Sequence, residues 1–188
     1  MNLPELHTHL WDALRLGASP TRSAFTIWQL ATLGLDGAPQ LRSIVLREAD
    51  ESTGTLAFHT DRRSPKLADI DADDRVAMLS LDLDRHVQLR LNGRARPVQD
   101  GARVRRMWDG ARPHTLILYQ TPHAPGTVIA QPEDGHVPSE PAHSGFDNFT
   151  LVEVVLDAIE YLDLTPGQHC RAVFRRDDGA WRGQWIAP

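Results

Sequence analysis

The sequence predicts a mainly β fold of the α+β class, in which an antiparallel sheet closes on itself and carries helices at its periphery. Seven or eight runs of β-forming residues follow one another along the 188-residue chain. Most runs are joined by hairpin turn signals, such as Asp36-Gly37 and Asp177-Asp178-Gly179. Helical patterns occur at only two or three junctions, whereas a parallel sheet needs a helix between most of its strands.

The elements are assigned in chain order. An N-terminal helix is predicted within residues 1–18, because Leu6, Leu10 and Leu14 recur at four-residue spacing and Gly17 suits the helix end. A second helix begins at Ser64, and a third covers residues 100–110. The predicted strands cover residues 25–34, 40–47, 55–60, 75–81, 86–98, 151–164 (one bent strand or two), 169–176 and 180–186.

The strand at residues 86–98 alternates strictly between apolar and polar side chains. Leu89 and Leu91 belong to its apolar face, and Gln88 and Arg90 belong to its polar face. This pattern is typical of a half-buried strand in an antiparallel sheet. Its polar face either faces solvent or lines a polar ligand groove.

Residues 122–148 form a long connection that is rich in proline, glycine and histidine. Little regular structure is expected there, and a loop of this length is either mobile or functional. Residues 1–188 are otherwise predicted to form a single domain, because the length suits one domain and no internal repeat is present.

Composition excludes several classes of function. A net charge of −5 argues against a protein that coats nucleic acid, and no apolar run approaches a membrane span. With Cys170 as its only cysteine and no signal peptide, the chain is expected to be cytoplasmic. No metal site is predicted: His7 and His9 lie on different faces of a helix, and the acids Asp69, Asp71, Asp73 and Asp74 are interpreted as a solvated helix end.

A candidate anion site lies where the second helix begins. Ser64 suits the N-cap position, and Pro65 suits the first helical position, where its missing N–H is not needed. Arg62, Arg63 and Lys66 surround this helix start. Free backbone N–H groups and the helix dipole favour an anion there, above all phosphate. The alternative is an ordinary capped helix with solvated cations.

Several short motifs, taken in order, resemble one known family. They are Arg42-Ser43-Ile44-Val45-Leu46-Arg47, Phe58-His59-Thr60, Ser64-Pro65-Lys66, Gln88 five residues before Gly93, Glu160-Tyr161-Leu162-Asp163 and His169-Cys170-Arg171. Together they are similar to the flavin-binding frame of the pyridoxamine 5′-phosphate oxidase family, over roughly residues 22–121 and 149–188. The sequences of these motifs resemble the uncharacterised FMN-binding branch of the family more than the biosynthetic oxidase.

The resemblance implies a split β-barrel homodimer with FMN at the subunit interface. It implies that Arg42 and Lys66 hold the FMN phosphate beside Ser64, and that Gln88 and Arg171 approach the isoalloxazine ring. The implied cofactor-binding residues are Arg42, Val45, Leu46, Arg47, His59, Thr60, Arg63, Ser64, Lys66, Gln88, Gln120, Tyr161 and Arg171. The implied substrate residues are Trp108, Arg112 and His169.

The chain also departs from the family pattern. Pro65 stands where the family has a phosphate-binding arginine, for which Arg63 could substitute, and Gly167 replaces the arginine that accompanies His169. Arg42 and Arg47 are five residues apart, so on a regular strand only one of them can meet the phosphate. We therefore expect an FMN-dependent oxidoreductase acting on an unidentified small molecule. The alternatives are pyridoxamine or pyridoxine 5′-phosphate oxidase proper, and a non-catalytic protein that binds flavin, haem or F420.

Overall fold

Nine strands and four α-helices make up the part of the chain that the computed structural model describes, namely residues 1–21, 23–138, 140–141, 143–167 and 169–188. The helices are α1 (Leu3–Ala18), α2 (Pro65–Ala72), α3 (Gly101–Asp109) and α4 (Pro113–Leu116). The strands are β1 (Ile27–Leu33), β2 (Pro39–Val45), β3 (Glu48–Asp50), β4 (Thr55–Asp61), β5 (Arg75–Asp82), β6 (Val87–Pro97), β7 (Phe149–Asp163), β8 (Cys170–Asp177) and β9 (Ala180–Ile186).

All these strands belong to one antiparallel sheet. Its main path runs β2-β1-β5-β6-β7-β4-β3, with β8 paired to β7 and β9 paired to β8. The two ends of the path, β2 and β3, are separated in the chain by only Leu46 and Arg47. The sheet therefore curves back on itself. The predicted mainly β, antiparallel class with peripheral helices is confirmed.

The turn of the chain from β2 to β3 explains why the predicted strand 40–47 is divided. The Leu46 N–H donates to the Thr26 carbonyl at 2.9 Å, whereas the Arg47 N–H donates to the Ala57 carbonyl of β4 at 2.8 Å. The backbone thus changes hydrogen-bonding partner between these two residues. Only after that change does the chain pair with β4 as β3.

The core fills the inside of the curved sheet and is closed by α1. Leu89 and Leu91 of β6 are fully buried, as the alternation predicted, and Trp11 and Leu14 of α1 pack into the same cluster. A bulge between Asn92 and Gly93 bends β6 against β7. A Cβ atom on Gly93 would lie 2.2 Å from the Val155 carbonyl oxygen, so this close approach requires glycine.

Three other elements differ in detail from the sequence prediction. A 3₁₀ turn, Ala24–Thr26, precedes β1 where the strand was predicted to begin. Residues 151–163 belong to one 15-residue strand, β7 (Phe149–Asp163), rather than two, and Leu164 lies just beyond its end. Between residues 122 and 148, the described part contains 3₁₀ turns at Pro132–Gly135 and from Phe146, so the expectation of little regular structure is confirmed there.

Within the described residues, the longest helix is α1 with 16 residues, and none is long and apolar enough to cross a membrane.

Candidate functional site

Lys66 stands at the start of α2, in the place that the sequence predicted for an anion site. Its Nζ donates to Thr60 Oγ1 at 2.8 Å and to Ser64 Oγ at 2.6 Å. Ser64 is the N-cap residue and Pro65 opens the helix, as predicted, but the Ser64 side chain makes no capping hydrogen bond. The hydroxyl of Ser64 instead accepts a hydrogen bond from the ammonium group of Lys66.

The charge at this position is poorly solvated. Burial lowers the pKa of Lys66, and the neighbouring Arg42 guanidinium lowers it further. Within the described residues, no carboxylate lies within ion-pair distance of the Lys66 ammonium, although Asp61 and Asp69 are close enough to oppose the shift. Two cations held this close together provide an attractive place for an anion.

Arg42 reaches the same region from β2. Its Nη1 donates to Thr32 Oγ1 at 2.6 Å and to the Leu30 carbonyl at 3.4 Å, and its Nη2 donates to Asp69 Oδ2 at 3.2 Å. The prediction that Asp69 belongs to a solvated helix end is wrong. Asp69 is 5% exposed because it faces Arg42 and Thr32 across the sheet.

Arg63, the predicted substitute for the missing arginine at position 65, has other partners. Its Nε and Nη2 donate to the two carboxylate oxygens of Asp61, at 3.0 and 2.7 Å, and its Nη1 donates to the Thr121 carbonyl at 3.2 Å. This bidentate pair with Asp61 uses the Nε and Nη2 groups of Arg63.

A cavity of about 630 Å³ lies between the C-terminal end of α1, the end of β2 and the α3–α4 segment. Two arginines, Arg47 and Arg112, line it together with His59 and His114, and none of its described lining residues is acidic. Burial lowers the pKa of Arg47, and the charge of Arg112 lowers it further. The cavity is therefore positively charged.

Arg47, which lines this cavity, also has a buried donor. The Nε of Arg47 is buried and has no hydrogen-bond partner among the described residues. A buried N–H without a partner is unfavourable by about 1–3 kcal/mol. An acceptor brought close to the Arg47 guanidinium would remove this cost.

His59 and Tyr119 form a neutral pair at the side of this cavity. The Nδ1 of His59 lies 2.6 Å from the Tyr119 hydroxyl, and its ring packs against Phe149. Burial, with a smaller contribution from the Arg47 charge, lowers the pKa of His59 to about 4. Burial likewise raises the pKa of Tyr119. Near neutral pH the pair can therefore offer hydrogen bonds but no charge.

The remaining predicted residues on this side have different environments. Trp108 packs edge-on against Tyr119, Phe146 and Phe149, behind the cavity. Arg112 is exposed, lines the cavity, and donates from Nη2 to the Pro20 carbonyl at 3.4 Å. Val45 is exposed and lines the cavity, Leu46 is buried in the core, and Gln120 donates to the Ser144 carbonyl at 3.1 Å.

A second group of predicted residues lies on the outer face of the sheet. Gln88 of β6 pairs with Leu162 of β7, and Leu162 pairs with Arg171 of β8, so all three side chains share this face. Arg171 forms an ion pair with Glu160 at 2.9 Å. Gln88 is three strands from Val45 of β2, about 14 Å at the usual strand spacing. On a single chain, the Gln88–Arg171 group is thus separate from the residues around the cavity.

Tyr161 does not belong to the outer group. It lies on the opposite face of β7, in the hydrophobic core, and its hydroxyl donates to Asp163 Oδ2 at 3.0 Å. Tyr161 and Leu162 point to opposite faces because they are neighbours on a strand, and the role of Tyr161 at the cofactor stays a prediction. Leu162 holds the place between Gln88 and Arg171. His169 is exposed and precedes β8.

The outer face also exposes an unusual number of aliphatic side chains. Leu81 of β5, which pairs with Gln88, is 46% exposed, and Ile27 of β1 is 56% exposed. Leu41, Val45 and Ile186 lie exposed on the same face of their strands. Exposed aliphatic side chains that share one face of a sheet favour an interaction site there.

Comparison with known proteins identifies the family. The model of the pyridoxamine 5′-phosphate oxidase family matches residues 21–161. A pyridoxine/pyridoxamine 5′-phosphate oxidase of Cupriavidus pinatubonensis is 32% identical over 171 residues, which cover 85% of this chain and 77% of that protein. A second such oxidase, from Arabidopsis thaliana, is 25% identical over 86% of this chain and 87% of its own length. The chain belongs to the pyridoxamine 5′-phosphate oxidase family, as its motifs indicated.

Solved structures agree on the fold. A pyridoxamine 5′-phosphate oxidase-related, FMN binding protein from Nostoc punctiforme superposes with a TM-score of 0.81 at 23% identity, over 100% of both chains. PhzG from Burkholderia lata, solved with tetrahydrophenazine-1-carboxylic acid, superposes with a TM-score of 0.74 at 18% identity, over 98% of this chain and 92% of that one. At these identities the likeness establishes the fold alone.

Sequence reasoning missed three residues of the site. Thr32 and Asp69 hold Arg42, and Tyr119 holds His59. These contacts join positions 10 to 60 residues apart in the chain, so no local pattern indicates them. For Lys66, which was predicted, the sequence holds a further signal: it is the only lysine in a sequence with many arginines.

Proposed function

We propose that the protein binds FMN and is an FMN-dependent oxidoreductase that acts on a small anionic molecule. The observation that carries this proposal is the cation cluster at the start of α2. There Lys66, two hydroxyl groups and Arg42 surround a helix N-terminus whose first N–H groups are not capped by a side chain. This combination of fixed cations and hydroxyl donors at a helix N-terminus suits a phosphate monoester.

The residues present fit the flavin mononucleotide. Lys66, Arg42, Ser64 and Thr60 would hold its phosphate, and the flavin would supply the hydride-transfer chemistry. The buried Nε of Arg47, which has no partner among the described residues, and the neutral His59–Tyr119 pair would face the bound molecules. The protein's part is then to orient the reactants and exclude water from the cavity.

The cavity supports an anionic substrate. Arg47 and Arg112 line it without an acidic residue among its described lining, and the Nε of Arg47 has no acceptor within the described ranges. We infer that these two guanidinium groups bind a carboxylate or phosphate of the substrate. Such contacts orient the molecule rather than react with it.

A second candidate is pyridoxamine or pyridoxine 5′-phosphate oxidase itself. The named relatives carry this activity in their names, and Arg112 lines the cavity as a phosphate-binding residue would. Gly167 stands against it, because the family's arginine at that position is missing. Formation of pyridoxal phosphate from pyridoxamine phosphate in an oxygen-coupled assay distinguishes the two candidates.

The proposal is tested by an absorption spectrum of the purified protein, followed by titration of the colourless fraction with FMN. We expect flavin bands, or saturable binding of one FMN per chain. Riboflavin, which lacks the phosphate, is the comparison ligand and should bind more weakly. Absence of saturable FMN binding would reject the proposed function.

We further propose that the protein is a homodimer through the outer face of the sheet. This arrangement would cover the exposed aliphatic side chains and bring Gln88 and Arg171 of one chain towards the cation cluster of the other. The two groups lie apart on a single chain, so a partner chain is the simplest way to combine them. The resemblance to the family led to the same expectation.

Replacement of Leu81 by arginine should dissociate this dimer. The side chain is 46% exposed at the centre of the outer face, where a charge would become buried without a partner. We expect the dimer dissociation constant to rise at least ~10-fold, with weaker FMN binding as a consequence. Analytical ultracentrifugation measures the first effect, and FMN titration measures the second.

Val128→Arg is the matched control, because Val128 is 96% exposed in the long loop. It should leave the native mass unchanged. A wild-type protein that sediments as a monomer, or a Leu81→Arg variant that dimerises normally, would contradict the proposed interface.

A further inference from the structure

Thr32 and Asp69 form a buried pair next to Arg42. Thr32 of β1 is 4% exposed and Asp69 of α2 is 5% exposed. The Thr32 hydroxyl donates to Asp69 Oδ2 at 2.8 Å and accepts from Arg42 Nη1 at 2.6 Å. Arg42 Nη2 donates to the same Asp69 oxygen at 3.2 Å. The three side chains therefore form a closed hydrogen-bonded triangle.

The triangle restricts how the guanidinium of Arg42 can be used. Its Nη1 is taken by Thr32 and the Leu30 carbonyl, and one Nη2 N–H is taken by Asp69. Its Nε–H and the second Nη2 N–H have no hydrogen-bond partner in the described ranges. These two groups share one edge of the planar guanidinium, which is the edge that binds phosphate oxygens in a bidentate manner.

The position of this edge is informative. The Arg42 side chain is 23% exposed, and its charge acts on the Lys66 ammonium strongly enough to lower the pKa of that group. Thr32 and Asp69, by contrast, are buried behind Arg42. A buried ion pair is by itself a weak source of stability, so a purely structural role explains this arrangement poorly.

We propose that Thr32 and Asp69 are positioning residues that hold the free edge of the Arg42 guanidinium towards the cofactor phosphate. This inference rests on the proposed binding of FMN beside Lys66. It assigns to Thr32 a role in selecting a phosphorylated flavin, although its side chain touches no ligand.

The decisive variant is Thr32→Val. Valine keeps the branched shape and changes no charge, but it removes the hydroxyl that accepts from Arg42. Asp69→Asn is a poorer test, because loss of a negative charge beside the phosphate would strengthen attraction while orientation is lost. We expect Thr32→Val to raise the FMN dissociation constant by about three- to tenfold, the usual effect of one hydrogen bond.

The affinity for riboflavin separates positioning from damage to the fold. Riboflavin has no phosphate, so its dissociation constant should stay within about twofold of the wild-type value. Thr32→Ser, which keeps the hydroxyl, should restore FMN affinity.

Thr55→Val is the matched control, since Thr55 is 9% exposed and bonded to Thr53, away from the cation cluster. Thr32→Ala gives the same comparison if the valine variant does not fold.

A double-mutant cycle with Arg42→Met tests whether Thr32 acts through Arg42. In that background, Thr32→Val should cause no further loss of FMN affinity. Unchanged FMN affinity in Thr32→Val, or an equal loss for FMN and riboflavin, would overturn the positioning role while leaving FMN binding intact. If the wild-type protein does not bind FMN, the proposed function itself fails, and the positioning role fails with it.

Discussion

Replacement of Lys66 by methionine is expected to weaken FMN binding by about a hundredfold. Methionine retains the apolar stem but removes the ammonium group that bonds to Thr60 and Ser64. Loss of a charge-assisted hydrogen bond is unfavourable by about 1.5–3 kcal/mol, and the upper part of that range corresponds to about a hundredfold. Fluorescence titration with FMN measures the effect, and riboflavin affinity should change only a few-fold.

Because Lys66 is the only lysine, a chemical experiment complements the variant. The lowered pKa of its ammonium group leaves more of the reactive free amine near neutral pH. An amine-directed reagent should modify Lys66 and the terminal amine, and FMN should protect Lys66 alone. Arg105→Gln, an exposed charge change on α3, serves as the control and should bind FMN normally. Equal losses for FMN and riboflavin in Lys66→Met would contradict a phosphate-binding role.

The free energy of unfolding should fall by about 3 kcal/mol between pH 7 and pH 4 because of His59 alone. Its pKa is lowered from 6.5 to about 4 in the folded protein. The unfolded chain therefore takes up a proton first as the pH falls, which favours unfolding. The contribution of His59 is complete above pH 6.5 and is lost progressively towards pH 4.

Urea unfolding at several pH values measures this loss, and His59→Gln isolates it. Glutamine does not titrate and retains an amide able to bond with the Tyr119 hydroxyl. Carboxylates contribute to the pH dependence of both proteins, so only the difference between them reports on His59. Parallel stability curves for wild type and variant would show that His59 is not held neutral by the fold.

Local signals in the sequence were sufficient for much of the fold. The periodicity of residues 4–16 and the alternation of residues 86–98 depend on neighbours along the chain, and both patterns correspond to elements of the structure. The Ser64-Pro65 signal likewise marked the start of α2. Interactions between residues that are close in the chain determine these features, so they can be predicted from the sequence.

Side-chain partners were not predictable in the same way. Asp69 is one of four acids near the end of α2, and only the approach of Arg42 and Thr32 distinguishes it. Arg63 forms an ion pair with Asp61, two residues before it, and this partner was not foreseen from the sequence. Tyr161 shows how strongly a strand register matters, because a shift of one residue moves a side chain from the outer face of the sheet to the core.

The position of β7 in the chain has a consequence for how the protein folds. β7 pairs with β4, β6 and β8, yet it begins only at Phe149. Its ladder with β4 joins Thr55 to Val155 and Asp61 to Phe149, contacts that span about half of the chain. Such distant pairings slow folding, because a long loop must close before they form. During synthesis the edges of β4 and β6 that pair with β7 therefore stay unpaired until the segment from Phe149 onward has left the ribosome.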